Sequence, residues 1–297
     1  MIESLNKVLI YGAGMMGASL ALALKNHPSF TGKVVAAVRT NQSAEFLSAN
    51  HLADQVIQNP TVSEIESLSF DFVVLGTPVL TTIDLLKKLN LNCLVTDMGS
   101  TKLQIQKVAN QTRLSFVGSH PMCGSENAGP QQLVAGLFEK RLCIITNDTQ
   151  PNVTPAQVEQ VTRFWSDLGM YTITADSMTH DKVIAQLSHG PHFISSALAL
   201  SLLTDQNLVK INESAPIPIT GGGLRDMLRI SGSNPQMWHD ILKTNQDQIV
   251  SFLKSFRSSL DSLIQYTESE NSDWVIDYQK RALAARMLIT RNQKNDK

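Results

Sequence analysis

The chain has 297 residues, with 25 Lys+Arg balancing 26 Asp+Glu to a formal net charge of −1. This length predicts two domains, and 42% hydrophobic residues supply a core for each. So even a charge balance excludes electrostatic capture of nucleic acid or of an anionic membrane, and a 17% charged fraction points to helices buried all round or held in a subunit contact.

In chain order, strand-like and helix-like segments alternate. Residues 7–12, 33–38, 70–77, 92–98, 114–119 and 141–146 are short β runs. Helical stretches at 16–25, 44–49, 79–89 and 102–110 lie between most of them. This alternation predicts an α/β Rossmann-type domain, a doubly wound, mostly parallel sheet with helices on both faces. Residues 147–155 form a loop, 155–168 a helix and 170–175 a last strand. Beyond Asp176 the pattern is all-α. Thr179 is the expected N-cap there, with Asp181 favourable in the first turn. Ile249, Phe252, Leu253, Phe256, Leu260, Leu263 and Ile264 recur at helical spacing, and 274–290 forms a terminal helix. The expected domains are therefore 1–176 and 177–297.

Cys93, Cys123 and Cys143 are odd in number and none belongs to a C-x-x-C pair. A disulfide framework or structural zinc is not expected, and a reducing cytoplasm fits. The uncharged stretches 8–24 and 183–204 are interrupted by glycines, or by Gln186, His189, Pro191 and His192, which argues against membrane spans. The opening MIESLNK is not the basic start of a signal peptide. The apolar 183–204 helix predicts a homodimer.

Four segments carry chemistry. The first is YGAGMMGAS, which puts Gly12, Gly14 and Gly17 in G-x-G-x-x-G spacing between a strand and a helix. Gly12 makes the tight turn, Gly14 lets backbone approach a pyrophosphate, and Gly17 allows close helix–strand packing. Met15 and Met16 at the helix start join the expected cofactor contacts, as does Thr77 at the end of another β run. An NAD site places an acidic residue after the second strand; here Val38 is followed by Arg39 and Thr40. With no carboxylate to repel a 2′-phosphate and an arginine to pair with one, NADP is favoured over NAD. The bland alternative is a solvated loop arginine.

The second segment, TDMGSTK (96–102), ends a β run. Ser100 and Thr101 are helix-cap candidates, and the Ser100 hydroxyl is also placed to orient an imidazole or a nicotinamide. In the third, GSHPMCGSENAGP (118–130), His120 stands on a glycine- and proline-rich loop at the sheet's carboxyl edge, a position suited to proton transfer. Cys123 is a small packing residue, and Glu126 gates or lines the pocket.

The fourth segment pairs THDKVIAQLSHGPHF with GGGLRDMLRISGSNPQMW. His189 and His192 share a helical face that Pro191 kinks. Neither H-E-x-x-H nor a third ligand is present, so substrate contact outweighs metal and no metal site is expected. Arg225 and Arg229, four apart, make a carboxylate or phosphate clamp.

Together GAGMMG, DMGSTK, GSHPMCGSE, THDKVIAQLSHGPH and GGGLRDMLRISGSNPQMW resemble the prephenate/arogenate dehydrogenase family, in the family's order from Gly12 to Trp238. The resemblance implies a nucleotide-binding domain, an all-α dimerisation domain and an active site in the cleft between them. It implies oxidative decarboxylation of prephenate or arogenate with hydride transfer to NADP or NAD. His120 would be the general base, and Ser100 would orient His120 and the nicotinamide. Arg229 would bind the ring carboxylate, and His189 and His192 would line the pocket. Glu126, Arg225 and Trp238 would be further pocket residues.

This chain departs from the family at Val38, where NAD-using members carry an acid, at Leu228, where many have Thr, and at Ser231, where many have Ala. No room is expected for a C-terminal regulatory domain or an N-terminal mutase segment, so any tyrosine inhibition would act at the active site. Two rival readings are a two-domain β-hydroxyacid dehydrogenase, which would use a helical-domain lysine, and a non-catalytic NADP-binding redox sensor.

Overall fold

The computed structural model describes residues 1–124 and 129–290. Glu126, expected at the pocket, lies outside the described residues. Six strands, β1 (Lys7–Tyr11), β2 (Lys33–Val38), β3 (Gln55–Gln58), β4 (Phe72–Leu75), β5 (Leu94–Asp97) and β6 (Ser115–Phe116), form a sheet in the order 3-2-1-4-5-6. All its pairings are parallel. Between the strands run α1 (Met15–Asn26), α2 (Asn41–Ala49), α3 (Val62–Ser67), α4 (Val79–Lys88) and α5 (Leu103–Ala109).

Both faces of this sheet are covered, so its central strands carry consecutive buried apolar residues, Val8–Ile10, Val34–Val38 and Phe72–Leu75, and not only alternate ones. Val8 and Ile10 of β1 join a cluster with Leu20 and Leu24 of α1, while Leu9 joins the opposite cluster with Leu86 of α4 and Ile105 of α5. β3 and α3 escape the sequence pattern because they are short and polar. β3 is a half-exposed edge strand, and α3 is a single turn or two started by a Thr61/Glu64 capping box.

A second sheet holds β7 (Ser119–Pro121), β8 (Leu142–Thr146) and β9 (Tyr171–Ala175), with α6 (Pro155–Asp167) between the last two. β7 runs antiparallel to β8, and β8 parallel to β9. The β run expected at 114–119 is thus two strands in two sheets. The chain divides at Gly118, whose carbonyl accepts from Thr146 N at 2.8 Å. His120 consequently stands in a strand, not on a loop.

The remaining helices are α7 (Ser177–Ile184), α8 (Gly190–Leu202), α9 (Gln206–Ser214), α10 (Gly222–Leu228), α11 (Pro235–Thr267) and α12 (Trp274–Ile289). Asp176, not Thr179, caps α7: its carboxylate accepts from Thr179 N at 2.9 Å, leaving Thr179 inside the first turn. A π-turn at Ala185–His189 joins α7 to α8, with Pro191 in the first turn of α8. The wide turn absorbs a residue that lacks a backbone N–H. Arg229–Gly232 form a 3₁₀ turn after α10.

Two compact units result, Met1–Ile249 and Val250–Lys297. The first continues past 176/177 because α7 packs on α5. Within the second unit, Tyr266 stacks on Trp274 at 5.4 Å, while Val275, Ile276, Leu283, Met287, Leu288 and Ile289 are exposed. Among the described residues no helix is long and apolar enough to cross a membrane.

Candidate active site

The strand order reverses between β1 and β4, and a cleft of about 400 Å³ opens at their carboxyl ends. Gly12, Gly14, Arg39, Thr40 and Thr77 line it, together with Asn59, Pro60 and Thr81. Gly12 has φ +96°, and a Cβ there would lie 2.6 Å from the Thr77 methyl. A Cβ on Gly17 would lie 2.7 Å from the Gly12 carbonyl oxygen, so helix and turn touch. Gly14 differs: a Cβ would meet nothing within 4 Å, and no side chain caps the α1 N-terminus behind it. Open space before uncapped amides at Met15, Met16 and Gly17 is an anion cradle.

At the rim, Thr40 caps α2 by accepting from Ser43 N at 3.2 Å. Arg39 is exposed and makes no ion pair among the described residues. Together these residues line a cleft that fits a dinucleotide, with the uncapped helix N-terminus at one part of it and Arg39 at another.

A second cluster forms around β5 and β7. Asp97 and Lys102 make an ion pair with almost no solvent exposure. Asp97 also accepts from Gly99 N at 2.9 Å and Ser119 N at 3.1 Å, and Trp165 Nε1 donates to Ser119 Oγ at 2.9 Å. These bonds fix β7, and with it His120. Burial, then the neighbouring His180, Lys102 and His189, hold the His120 imidazole well below its ordinary value. It is therefore neutral near pH 7, as a base must be.

His120 Nδ1 lies 2.9 Å from His180 Nε2, and His180 Nδ1 lies 2.8 Å from Asp181 Oδ1. Ser100 has no hydrogen-bond partner for its hydroxyl among the described residues, so the group holding His120 is His180. Neither Ser100 nor Thr101 caps α5. The Asp181 carboxylate does so instead, accepting from Lys102 N at 2.7 Å and Leu103 N at 2.9 Å. An anion reaching in from α7 suits that helix end better than a neutral hydroxyl.

His189 and His192 converge on Trp238, with ring centroids 6.1 and 4.3 Å away. The Asn245 amide nitrogen donates to the Asp181 carbonyl at 2.8 Å and to His189 Nδ1 at 3.2 Å. Asn245, drawn inward by both bonds, leaves helical geometry at φ −136° and breaks α11.

Because His189 Nδ1 accepts, Nε2 carries the proton, and this buried N–H has no partner among the described residues. Burial lowers the His189 pKa to about 4, so the ring is neutral. An orphaned buried donor calls for a ligand acceptor. His192 Nδ1 donates to the Ser188 carbonyl at 2.9 Å, which leaves Nε2 as the ring nitrogen outside that bond.

Arg225 on α10 and Arg229 in the following turn are exposed and unpaired among the described residues. Their segment packs on α8, the helix of His192, through a 2.6 Å bond from Ser195 Oγ to the Met227 carbonyl. The Cys123 thiol is pushed up to about 12 by burial and packs on the core, which excludes a thiolate nucleophile. Among the described residues no group of three or more His, Cys, Asp or Glu is placed to hold a metal ion.

Sequence reasoning gave no part to Asp97, Lys102 or Asn245, left His180 without a role, and placed Asp181 only as a favourable charge in the first turn of its own helix, whereas its carboxylate caps α5. The adjacent His-Asp pair in THDK was the only available signal.

The model of the prephenate dehydrogenase nucleotide-binding domain matches residues 20–174, and that of the prephenate dehydrogenase dimerization domain matches residues 176–281. Prephenate dehydrogenase of Bacillus subtilis is 30% identical over 286 residues, covering 93% of this chain and 74% of that protein. Cyclohexadienyl dehydrogenase of Zymomonas mobilis is 28% identical over 294 residues, 95% of each chain. The crystal structure of prephenate dehydrogenase from Aquifex aeolicus with hydroxyphenyl propionate and NAD+ superposes with a TM-score of 0.82 at 29% identity. That superposition covers 96% of this chain and 99% of the other. With both domain models matched in order over a nucleotide cleft and a buried histidine cluster, the chain belongs to the prephenate dehydrogenase family.

Proposed function

We propose that this protein is an NAD(P)-dependent dehydrogenase that oxidatively decarboxylates prephenate to 4-hydroxyphenylpyruvate, or arogenate to tyrosine, and works as a homodimer. The observation that carries the reading is the neutral His120, held at the end of a hydrogen-bonded histidine–aspartate chain within the same compact unit as the nucleotide cleft. The bound nicotinamide supplies the hydride acceptor.

His120 takes the ring hydroxyl proton as the hydride leaves the same carbon. The ring carboxylate departs as carbon dioxide, its bonding pair closes the aromatic ring, and the protonated imidazole returns its proton to the phenolic oxygen. Atoms and charge balance with one hydride and one carbon dioxide released. Arg229 binds a substrate carboxylate, with Arg225 beside it. The His189 N–H, without a partner among the described residues, and the His192 ring orient the polar groups of the substrate, and Trp238 backs both rings. Ser100, three residues past β5 and without a hydrogen-bond partner among the described residues, bonds substrate or cofactor.

For the dinucleotide, the uncapped α1 N-terminus holds the pyrophosphate and Arg39 pairs with a 2′-phosphate, so NADP is preferred. The exposed apolar residues of α12 support the dimer.

The test is initial-rate reduction of NADP and NAD, with prephenate and arogenate offered separately, by wild type and His120→Asn. Turnover by wild type, with a loss of about 10²- to 10⁴-fold in kcat and near-intact cofactor affinity in the variant, is expected. Equal turnover by the variant removes His120 from the mechanism. No turnover by wild type in any combination refutes the reading.

A further inference from the structure

A histidine base is useful only if the nitrogen facing the substrate lacks its proton, and a neutral imidazole carries that proton on either nitrogen. Nothing in the sequence decides which. In the structure the choice follows from a chain of obligatory donors and acceptors. The Asp181 carboxylate accepts backbone N–H bonds from Lys102 and Leu103, so it is anchored at the α5 N-terminus as a pure acceptor. His180 Nδ1, 2.8 Å from Asp181 Oδ1, must then donate.

A neutral His180 with its proton on Nδ1 has a bare Nε2, and burial keeps this ring neutral by lowering its pKa. That Nε2 lies 2.9 Å from His120 Nδ1, which must therefore be the donor. The His120 proton is fixed on Nδ1, and Nε2 is left with the lone pair. His180 and Asp181 are almost wholly buried. Water therefore does not compete for these bonds, and the arrangement is formed before any ligand arrives.

We propose that His180 and Asp181 are positioning residues that hold His120 as its Nδ1–H tautomer, making Nε2 the nitrogen that accepts the substrate's hydroxyl proton. The pair rests on the reading of His120 as the base, and it adds a second duty. When His120 becomes an imidazolium, its Nδ1–H already points at the bare nitrogen of a ring backed by an anion, which stabilises the charge as it forms. The same Asp181 caps α5 and the Asn245 amide holds its carbonyl. Aspartate substitutions would therefore disturb structure as well as chemistry, and His180 is the cleaner place to intervene.

The experiment uses the full chain labelled with 15N-histidine, with the His120 signals among its seven histidines assigned by their absence in His120→Asn. Long-range 15N–1H spectra report which nitrogen of His120 is protonated, without any need for turnover. Wild type is expected to show Nδ1–H at His120, and His180→Leu, which offers no acceptor, to move the proton to Nε2. In steady-state kinetics His180→Leu is expected to lose about 10- to 100-fold in kcat, the worth of one hydrogen bond to a developing charge, with substrate KM and cofactor affinity within about twofold. His180→Gln, whose side-chain oxygen can accept from Nδ1–H, restores most of kcat.

An unchanged Nδ1–H signal in His180→Leu overturns the proposal, as does equal loss of kcat in the Leu and Gln variants alongside equal loss of thermal stability. A wild type that turns over neither cyclohexadienyl substrate, yet whose His120 tautomer follows residue 180, refutes the proposed function and upholds the tautomer lock.

Discussion

Acid should unfold this protein through its buried histidines, and His189 allows the size of the effect to be worked out. Its ring is about 1% exposed, and its pKa falls from an ordinary 6.5 to about 4. In the unfolded chain it takes up a proton below pH 6.5, whereas in the folded protein it does not until about pH 4. Its contribution to stability is therefore complete above pH 6.5 and is lost as the pH falls from 6.5 to 4.

At about 1.36 kcal/mol per unit, a depression of about 2.5 units amounts to roughly 3 kcal/mol over the whole window, and about 2 kcal/mol of it is lost by pH 5. His120 and His180 are depressed in the same direction, so the wild-type loss exceeds this figure. His189→Gln keeps an amide in place of the ring and removes one titration. Urea unfolding at pH 7.5 and pH 5.0, at one protomer concentration, is the assay. Wild type should lose about 2 kcal/mol more than the variant between the two conditions. A gap between the two proteins that does not change with pH would refute the assignment of His189 as a buried neutral ring.

Gly14 and Gly17 of the nucleotide turn should differ in how far their replacement disturbs the fold. Gly14→Ala meets nothing within 4 Å. It should cost under about 1 kcal/mol of stability yet raise the cofactor KM about tenfold or more, because the methyl fills the space reserved for phosphate. Gly17→Ala drives a methyl to within 2.7 Å of the Gly12 carbonyl and should lower stability as well, a split that thermal melts and cofactor titration separate. Lys102→Met leaves the fully buried Asp97 without its cation and should cost about 3–5 kcal/mol in urea unfolding; a change below about 1 kcal/mol would mean the pair is dispensable. Leu288→Glu charges an exposed apolar face of α12 and should convert the dimer to monomer by light scattering at micromolar concentration; a monomeric wild type would contradict the proposed dimer.

The nucleotide-binding half was largely legible in the residue order. A turn of Gly12, Gly14 and Gly17 between a strand and a helix depends on neighbours in the chain, and so do apolar runs such as 33–38 and 72–75. Local sterics and hydrophobic burial act within a few residues, and they leave a pattern that can be read without a structure. The same holds for His120, His189, His192 and Trp238 as residues of interest, since each lies in a distinctive segment. What the pattern missed was polar and short, such as β3, or depended on a partner far away, such as the break at Gly118 that sends Ser119 and His120 into a second sheet.

The relations among the chemical groups were settled only by tertiary structure. His120 and His180 are 60 residues apart, Lys102 and Asp181 are 79 apart, and Asn245 lies 56 residues from His189. Cap formation at α5 illustrates the difference. The chain offers Ser100 and Thr101 in the usual place, yet a carboxylate from α7 wins, because a buried helix end favours an anion over a hydroxyl and folding carries that anion there. The order of residues thus determined which groups the protein possesses and which fold carries them. Which nitrogen is bare, which ring stays neutral and which donor is left for a ligand depend on burial and on hydrogen bonds between distant segments, and these exist only once the chain has closed around them.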